Sequence, residues 1–73
     1  AMNKSIWLEG MYLEGRDFGY DVVADNPDIS KIELESEIYN YLMSLEIYRR
    51  YTTVVDTRSK MAAERVYKML HSQ

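Results

Sequence analysis

Cysteine is absent from this sequence, and proline, histidine and tryptophan each occur once. Without cysteine, the chain can form neither a disulfide nor a thiolate zinc site, and it has no cysteine nucleophile. The single histidine, His71, lies next to the C-terminus, where it suits the end of a helix better than a catalytic role. The three glycines fit neither a phosphate-binding loop nor a dinucleotide fingerprint. We therefore predict a protein that is not an enzyme, without catalytic residues, cofactor or metal site.

The length of 73 residues predicts a single domain over residues 1–73, with a core that supplies only about 3–5 kcal/mol of net stability. Ala1 precedes Met2, and we interpret it as a remnant of cloning. No apolar run approaches the roughly 20 residues that a membrane-spanning helix needs, and the first residues do not resemble a secretory signal. We expect a cytoplasmic protein that does not contact the membrane.

The net charge of −3 conceals two parts of opposite sign. Residues 1–48 carry three basic and ten acidic side chains, a net −7, whereas residues 49–73 carry six basic and two acidic side chains, a net +4. Such an asymmetry bears on the choice of partners. In a domain this small, we expect the two parts to fold against each other and partly neutralise one another.

The start of the chain predicts two strands joined by a tight turn. Residues 6–13 and 18–24 are rich in apolar and aromatic side chains, which suit a pleated, half-buried surface. Gly15 can adopt the positive φ that a type II′ turn needs at its first central position, so Gly15 and Arg16 form the predicted two-residue loop. The face expected to form the core carries Trp7, Met11, Leu13, Phe18 and Tyr20.

The middle of the chain predicts a helix, and the last third predicts a strand followed by a second helix. Ser30 and Glu33 have the spacing of a capping box, and the apolar residues between positions 34 and 45 follow a helical period. Residues 47–56 are β-branched and aromatic, which is typical of a strand. Residues 60–70 carry an apolar stripe at helical spacing, formed by Ala62, Val66, Met69 and Leu70.

This order of elements, β-β-α-β-α, predicts a two-layer α+β fold, in which a three-stranded sheet is covered on one face by two helices. A right-handed crossover places the third strand beside the first, in the order 2-1-3. With only two helices available, the other face of the sheet stays uncovered. An uncovered apolar face usually marks a partner or dimer interface.

The main functional hypothesis is a small non-enzymatic protein-protein interaction module, a regulator or inhibitor that docks onto another protein through the uncovered sheet face or pairs with itself as a homodimer. The sequence contains seven tyrosines, and tyrosine is enriched at interfaces because it combines a rigid apolar ring with one polar group. The predicted partner-binding residues are Ile6, Leu8, Tyr12, Val23, Tyr48 and Arg50. It stays open whether the helices and termini cover this face instead.

Two further hypotheses rank below protein docking. The first is a nucleic-acid-binding module, since basic side chains beside aromatic residues are what a phosphate backbone contacts. Its predicted contacts are Arg49, Arg50, Arg58, Lys60, Arg65 and Lys68. The net charge of −3 argues against it, because an acidic protein repels nucleic acid at long range. The second is an enzyme that brings Asp56 together with Glu33 or Glu37, although capping and a solvated surface explain these acids more simply.

Overall fold

Three helices make up the fold. A computed structural model describes residues 4–72, and within them α1 runs over Lys4–Asp25, α2 over Lys31–Ser44 and α3 over Thr52–His71. Residues 4–72 contain no strand, so the predicted α+β fold with a three-stranded sheet in the order 2-1-3 is wrong. The short connections 26–30 and 45–51 place neighbouring helices antiparallel. Each helix packs against the other two, which makes a three-helix bundle.

The first helix stands where a hairpin is predicted. Its buried residues are Met11, Gly15, Gly19 and Val23, one every four residues, a spacing that follows one side of a helix. No glycine in the described chain has a positive φ, so the predicted type II′ turn at Gly15 and Arg16 is wrong. The aromatic content of residues 6–24 favours strands only weakly, because β-propensity depends on the surface against which a residue packs.

Gly15 and Gly19 allow α1 to approach the other two helices closely. A Cβ atom at position 15 would lie 3.0 Å from Ile38 Cγ2 and 3.2 Å from Leu42 Cδ1. At position 19, a Cβ atom would lie 3.0 Å from Ile38 Cδ1 and 3.1 Å from Val66 Cγ2. These distances are shorter than ordinary carbon–carbon contacts, so the space that a side chain would need is already filled. Close packing, and not a turn, requires both glycines.

The capping box predicted at Ser30 and Glu33 is confirmed. The Glu33 amide donates to Ser30 Oγ at 3.1 Å, and the Ser30 amide donates to Glu33 Oε1 at 3.2 Å. Hydrogen bonding with Ser30, first with its side chain and then with its backbone, holds the pKa of the Glu33 carboxyl below its ordinary value. After the cap, α2 completely buries Leu34, Ile38 and Leu42, in agreement with the predicted helical period.

Replacing Ser30 with alanine is expected to lower the free energy of unfolding by about 1 kcal/mol, because α2 loses the hydroxyl that accepts from the Glu33 amide. In a domain of this size, such a loss lowers Tm by roughly 4–8 °C. Thermal denaturation followed by circular dichroism measures the change. Ser36→Ala, at an exposed position of the same helix, is the matched control. An equal fall in Tm for both variants would contradict a capping role for Ser30.

The third helix begins inside the segment that the sequence predicts as a strand. Residues 47–56 do not form a strand, since the chain turns over residues 45–50 and α3 begins at Thr52. Val55 is fully buried, and the buried Ser59 hydroxyl donates to the Val55 carbonyl oxygen at 2.6 Å. Burial of Val55 between the helices outweighs the strand preference of this β-branched segment.

The helix predicted over residues 60–70 is confirmed as the C-terminal part of α3. Within its predicted apolar stripe, Ala62 and Val66 are fully buried, whereas Met69 is 45% exposed and Leu70 is half-buried. The stripe that meets the core therefore extends towards the start of α3, and in the last turn only Leu70 of the two predicted residues packs against the core.

The bundle is elongated and measures 40 × 20 × 17 Å. Because the helices alternate in direction, the first turns of α1 and α3 lie at one end, together with the connection that follows α2. The opposite end holds the last turn of α1, the connection 26–30 and the cap of α2. Within the described chain, none of the helices combines the length and the apolar character needed to cross a membrane.

Candidate functional site

One end of the bundle brings together aromatic side chains from two separate parts of the chain. Trp7 of α1 lies edge-on to Tyr48, with ring centroids 5.6 Å apart, and edge-on to Tyr51, with ring centroids 4.9 Å apart. In the connection before α3, the Tyr48 amide donates to the Leu45 carbonyl and the Tyr51 amide to the Tyr48 carbonyl, each at 3.0 Å. Because each of these hydrogen bonds joins residues three apart, the chain makes the same tight turn twice in succession. In this geometry the rings of Tyr48 and Tyr51 both contact Trp7.

An open apolar groove lies beside these rings. It is lined by Lys4, Trp7, Leu8, Tyr51 and Val54 and has a volume of about 410 Å³, and we call it the end groove. Tyr51 is 48% exposed, while Trp7, Leu8 and Val54 are half-buried. Aromatic rings that pack edge to face hold each other in place. The end groove is therefore an apolar surface whose aromatic rings support each other, with one cation, Lys4, on its wall.

The surroundings of the end groove carry a small net positive charge, from Lys4, Arg49 and Arg50 against the exposed acids Glu9 and Glu46. Residues 4–72 contain three ion pairs, which are Arg16–Asp17 at 3.0 Å, Lys31–Glu64 at 3.4 Å and Lys60–Asp56 at 2.7 Å. None of these pairs includes Lys4 on the groove wall, or Arg49 and Arg50, which are exposed and directly precede Tyr51. Glu46 is exposed in the same connection and forms no ion pair with either arginine.

Four of the six predicted partner-binding residues lie at this end of the bundle, although one of them, Tyr48, is buried there against Trp7. Leu8 lines the end groove itself. Ile6 is 64% exposed in the first turns of α1, and Arg50 is exposed one residue before Tyr51. The sheet face on which these residues are predicted to lie does not exist, since α1 occupies their segment.

The other two predicted partner-binding residues, Tyr12 and Val23, lie elsewhere. Tyr12 is half-buried and lines a different groove, between α1 and α3. Val23 is buried in the core. Their burial follows from the helical geometry, because a helix turns residues inward every three or four positions and not at every second one.

Sequence reasoning did not identify Trp7, Tyr51 and Val54 as groove residues. The predicted hairpin places Trp7 in the core, and the predicted third strand gives Val54 no role. One feature of the sequence did indicate a helix here. The small or apolar residues at positions 8, 11, 15, 18 and 22 are spaced alternately three and four residues apart. That alternation is typical of one side of a helix and would have placed positions 7 and 8 together at a helix end.

A second groove, between α1 and α3, holds some of the basic residues predicted to contact nucleic acid. It is lined by Tyr12, Met61, Glu64, Arg65 and Lys68 and has a volume of about 340 Å³. Arg58 is adjacent, with its Nη1 atom 3.2 Å from Met61 Sδ. Arg58, Arg65 and Lys68 therefore form one stripe along α3. Arg49 and Arg50 lie apart from this stripe, at the end groove.

Lys60, the remaining predicted nucleic-acid contact, lies on the side of α3 that faces α2. Its ammonium group bonds Asp56 at 2.7 Å, and this hydrogen bond raises the pKa of Lys60 above its ordinary value. Both residues line a groove of about 350 Å³, which also includes Glu35 and Tyr39. Neither Glu33 nor Glu37 lines it, and Glu33 is occupied at the cap. The structure does not unite Asp56 with either acid proposed for an enzyme.

Alkaline pH is expected to destabilise the fold through Tyr41 and Tyr48. Burial, and secondly the charge of Glu14, raises the pKa of both hydroxyls above the ordinary value. A raised folded-state pKa gives stability that is complete below the unfolded-state pKa, about 10 for tyrosine, and that is lost as pH rises through the folded-state pKa. Thermal denaturation at increasing pH should show a smaller fall in Tm for the Tyr41→Phe/Tyr48→Phe variant than for the parent chain. An identical fall would contradict this origin.

Comparisons with known proteins do not indicate a function for this chain. No protein-family model, curated protein or solved structure matches the chain. Within residues 4–72, no group of three or more histidine, aspartate or glutamate side chains is arranged to hold a metal ion.

Proposed function

We propose that this chain is a small, non-enzymatic protein-interaction module that acts in the cytoplasm as a regulator or inhibitor, and that it docks another protein at the end groove. The observation behind the proposal is the open apolar groove of about 410 Å³ lined by Trp7, Leu8, Tyr51 and Val54. Tryptophan, tyrosine and arginine are the residues that most often dominate binding energy at interfaces. All three types occur here together, with Arg49 and Arg50 adjacent to Tyr51.

The other two grooves fit this role less well. Three of the five residues that line the groove between α1 and α3 are charged, and the groove between α2 and α3 contains Glu35 and the Asp56–Lys60 ion pair. The core of an interface is depleted in charged residues. The end groove has one charged residue, Lys4, among its five lining residues, and it therefore has the composition of an interface core.

Site-directed photo-crosslinking in native cells tests this proposal. A photoreactive phenylalanine analogue placed at position 51, on the end groove, is expected to form adducts with one partner protein. The same analogue at position 32 is the matched control, because Ile32 is 78% exposed but lies on the surface of α2. Adding Leu8→Glu should remove the adducts at position 51, while circular dichroism confirms that the variant stays helical. Equal adducts at both positions, or adducts that persist with Leu8→Glu, would contradict docking at the end groove.

The mass of the protein in solution, measured over a concentration series in low and moderate salt, determines whether a second copy is the partner. A dimer that Leu8→Glu dissociates places a second copy at the end groove. A monomer leaves the groove to a different protein. Specific, stable interfaces usually bury about 800 Å² or more on each partner, so a groove-centred dimer must also use exposed neighbours such as Ile6 and Ile47, each of which is 64% exposed.

The stripe of Arg58, Arg65 and Lys68 supports nucleic-acid binding as a second candidate function. None of the three belongs to an ion pair within the described chain, and Tyr12 lies beside Arg65 and Lys68 in one groove. Binding of this kind should weaken by about 0.9 log units per log unit of salt for each duplex phosphate neutralised. Titrations of labelled DNA and RNA with the parent chain and with Arg65→Glu/Lys68→Glu measure it. Undetectable or salt-insensitive binding would exclude this function.

A further inference from the structure

We infer that the segment which docks in the end groove is an acidic peptide with an apolar or aromatic anchor. This inference rests on the proposed function and specifies the chemistry of the partner. Two features of the groove support it separately: the apolar lining selects the anchor, and the cations around it select the charge of the flanking residues.

The anchor follows from the shape and composition of the groove. Trp7 and Tyr51 present ring surfaces whose centroids are 4.9 Å apart, and Leu8 and Val54 complete the lining. Aromatic rings bind other rings and aliphatic side chains through offset and edge-to-face contacts. The volume of about 410 Å³ is at the small end of the range for ligand pockets, so it accepts one or two side chains of a peptide and not a whole domain.

The flanking charge follows from three cations that lack an ion-pair partner within residues 4–72. Lys4 lies on the groove wall, and Arg49 and Arg50 directly precede Tyr51. Arginine binds carboxylates through two parallel hydrogen bonds, which gives it direction as well as charge. Aspartate or glutamate residues next to the anchor are therefore the ligands that complement this surface.

The net charge of −3 does not oppose an acidic ligand at this end. Four of the twelve acidic side chains lie around the opposite end of the bundle, where the last turns of α1, the connection 26–30 and the first turn of α2 carry Asp21, Asp25, Asp28 and Glu33. A helix rises 1.5 Å per residue, so α1 separates Lys4 from Asp25 by roughly 30 Å. Exposed charges are largely screened beyond a Debye length of about 8 Å at physiological salt. An acidic peptide at the end groove therefore senses mainly the nearby charges, which are Lys4, Arg49 and Arg50 against Glu9 and Glu46, a net +1.

Selection from a random displayed-peptide library against the intact protein tests the inference. The selected peptides are expected to be rich in aspartate and glutamate around a phenylalanine, leucine or isoleucine. Trp7 is the only tryptophan in the chain and lies in the groove, so synthetic peptides without tryptophan should shift its fluorescence on binding. Arg49→Glu/Arg50→Glu should weaken binding about tenfold or more, as expected for two exposed charge pairs replaced by repulsion.

The matched control is Arg65→Glu/Lys68→Glu, which reverses two exposed cations away from the end groove and should leave peptide affinity unchanged. Neutral or basic peptides whose binding depends on Leu8 would overturn the acidic-peptide inference but retain the proposed function. If no selected peptide depends on Leu8, both fail. A homodimer that Leu8→Glu dissociates would also overturn the inference, because a second copy would then occupy the groove.

Discussion

Gly15→Leu is expected to unfold the protein. A Cβ atom at this position would already lie 3.0 Å from Ile38 and 3.2 Å from Leu42, both fully buried, and 3.4 Å from Ala62. A leucine adds three more carbon atoms to space that two other helices fill. To admit them, α1 must move away from both neighbours and give up contacts along its length.

The expected loss of stability is comparable with the whole stability of the domain. Overpacking usually costs about 1–3 kcal/mol and sometimes more, and the gain in helix propensity when leucine replaces glycine is under about 1 kcal/mol. A leucine that separates α1 from both other helices belongs to the costly cases, and we expect a loss of about 3 kcal/mol or more. A domain of this size has only about 3–5 kcal/mol. The variant should show a weak helical signal in circular dichroism and no cooperative thermal transition.

Gly10→Ala provides the matched control for Gly15→Leu. A Cβ atom at position 10 would meet Tyr48 Oη at 3.8 Å, an ordinary van der Waals contact. Since alanine favours the helix over glycine by up to about 1 kcal/mol, Tm should stay the same or rise. A Gly15→Leu variant that unfolds at the Tm of the parent chain would show that α1 does not need the close approach.

Ile38→Ala is expected to cause the second-largest loss. Ile38 is fully buried on α2, and its side chain fills the space opposite both Gly15 and Gly19. Replacing a buried isoleucine with alanine costs about 2–5 kcal/mol, because apolar contacts are lost and a cavity is left. This site can collapse only partly, since the two glycines have no side chains to fill the cavity. Urea denaturation should show a much lower midpoint.

Ile32→Ala makes the same substitution on the same helix at a position that is 78% exposed. It removes little buried area, and alanine is a slightly better helix former than isoleucine. The free energy of unfolding should therefore change by less than about 0.5 kcal/mol. Similar urea midpoints for the two variants would contradict the assignment of Ile38 to the centre of the core.

The close packing between Gly15 and Ile38 also determines the geometry of the end groove. Trp7 and Leu8 belong to the same helix as Gly15 and Gly19, and they reach Tyr51 and Val54 only while α1 lies close to α3. A variant that shifts α1 outward but remains folded is therefore expected to lose peptide binding at the end groove.

Part of the candidate site was predictable from the sequence. Leu8 and Arg50 were predicted as partner-binding residues and lie at the end groove, although the reason given for them, an uncovered sheet face, is wrong. The sequence pattern did not bring Trp7 and Tyr51 together. Their contact depends on a three-residue turn repeated over residues 45–51, whose hydrogen bonds join backbone atoms and so have no specific side-chain signature.

The sequence by itself determined the cap of α2 and the helical period of its apolar residues, because both are local. Ser30 and Glu33 bond across three residues, and Leu34, Ile38 and Leu42 follow one side of a single helix. The same holds for the helix over residues 60–70.

Only the tertiary structure decided that none of the three predicted strands forms within residues 4–72. The sequence alone does not distinguish a glycine in a turn from a glycine at a close contact between helices. The residues that contact Gly15, which are Ile38 and Leu42, lie more than twenty positions away in the chain. The strand preference of Val54 and Val55 is likewise weak compared with burial of Val55 between helices. Where local preference is small, the contacts made by distant residues determine the structure.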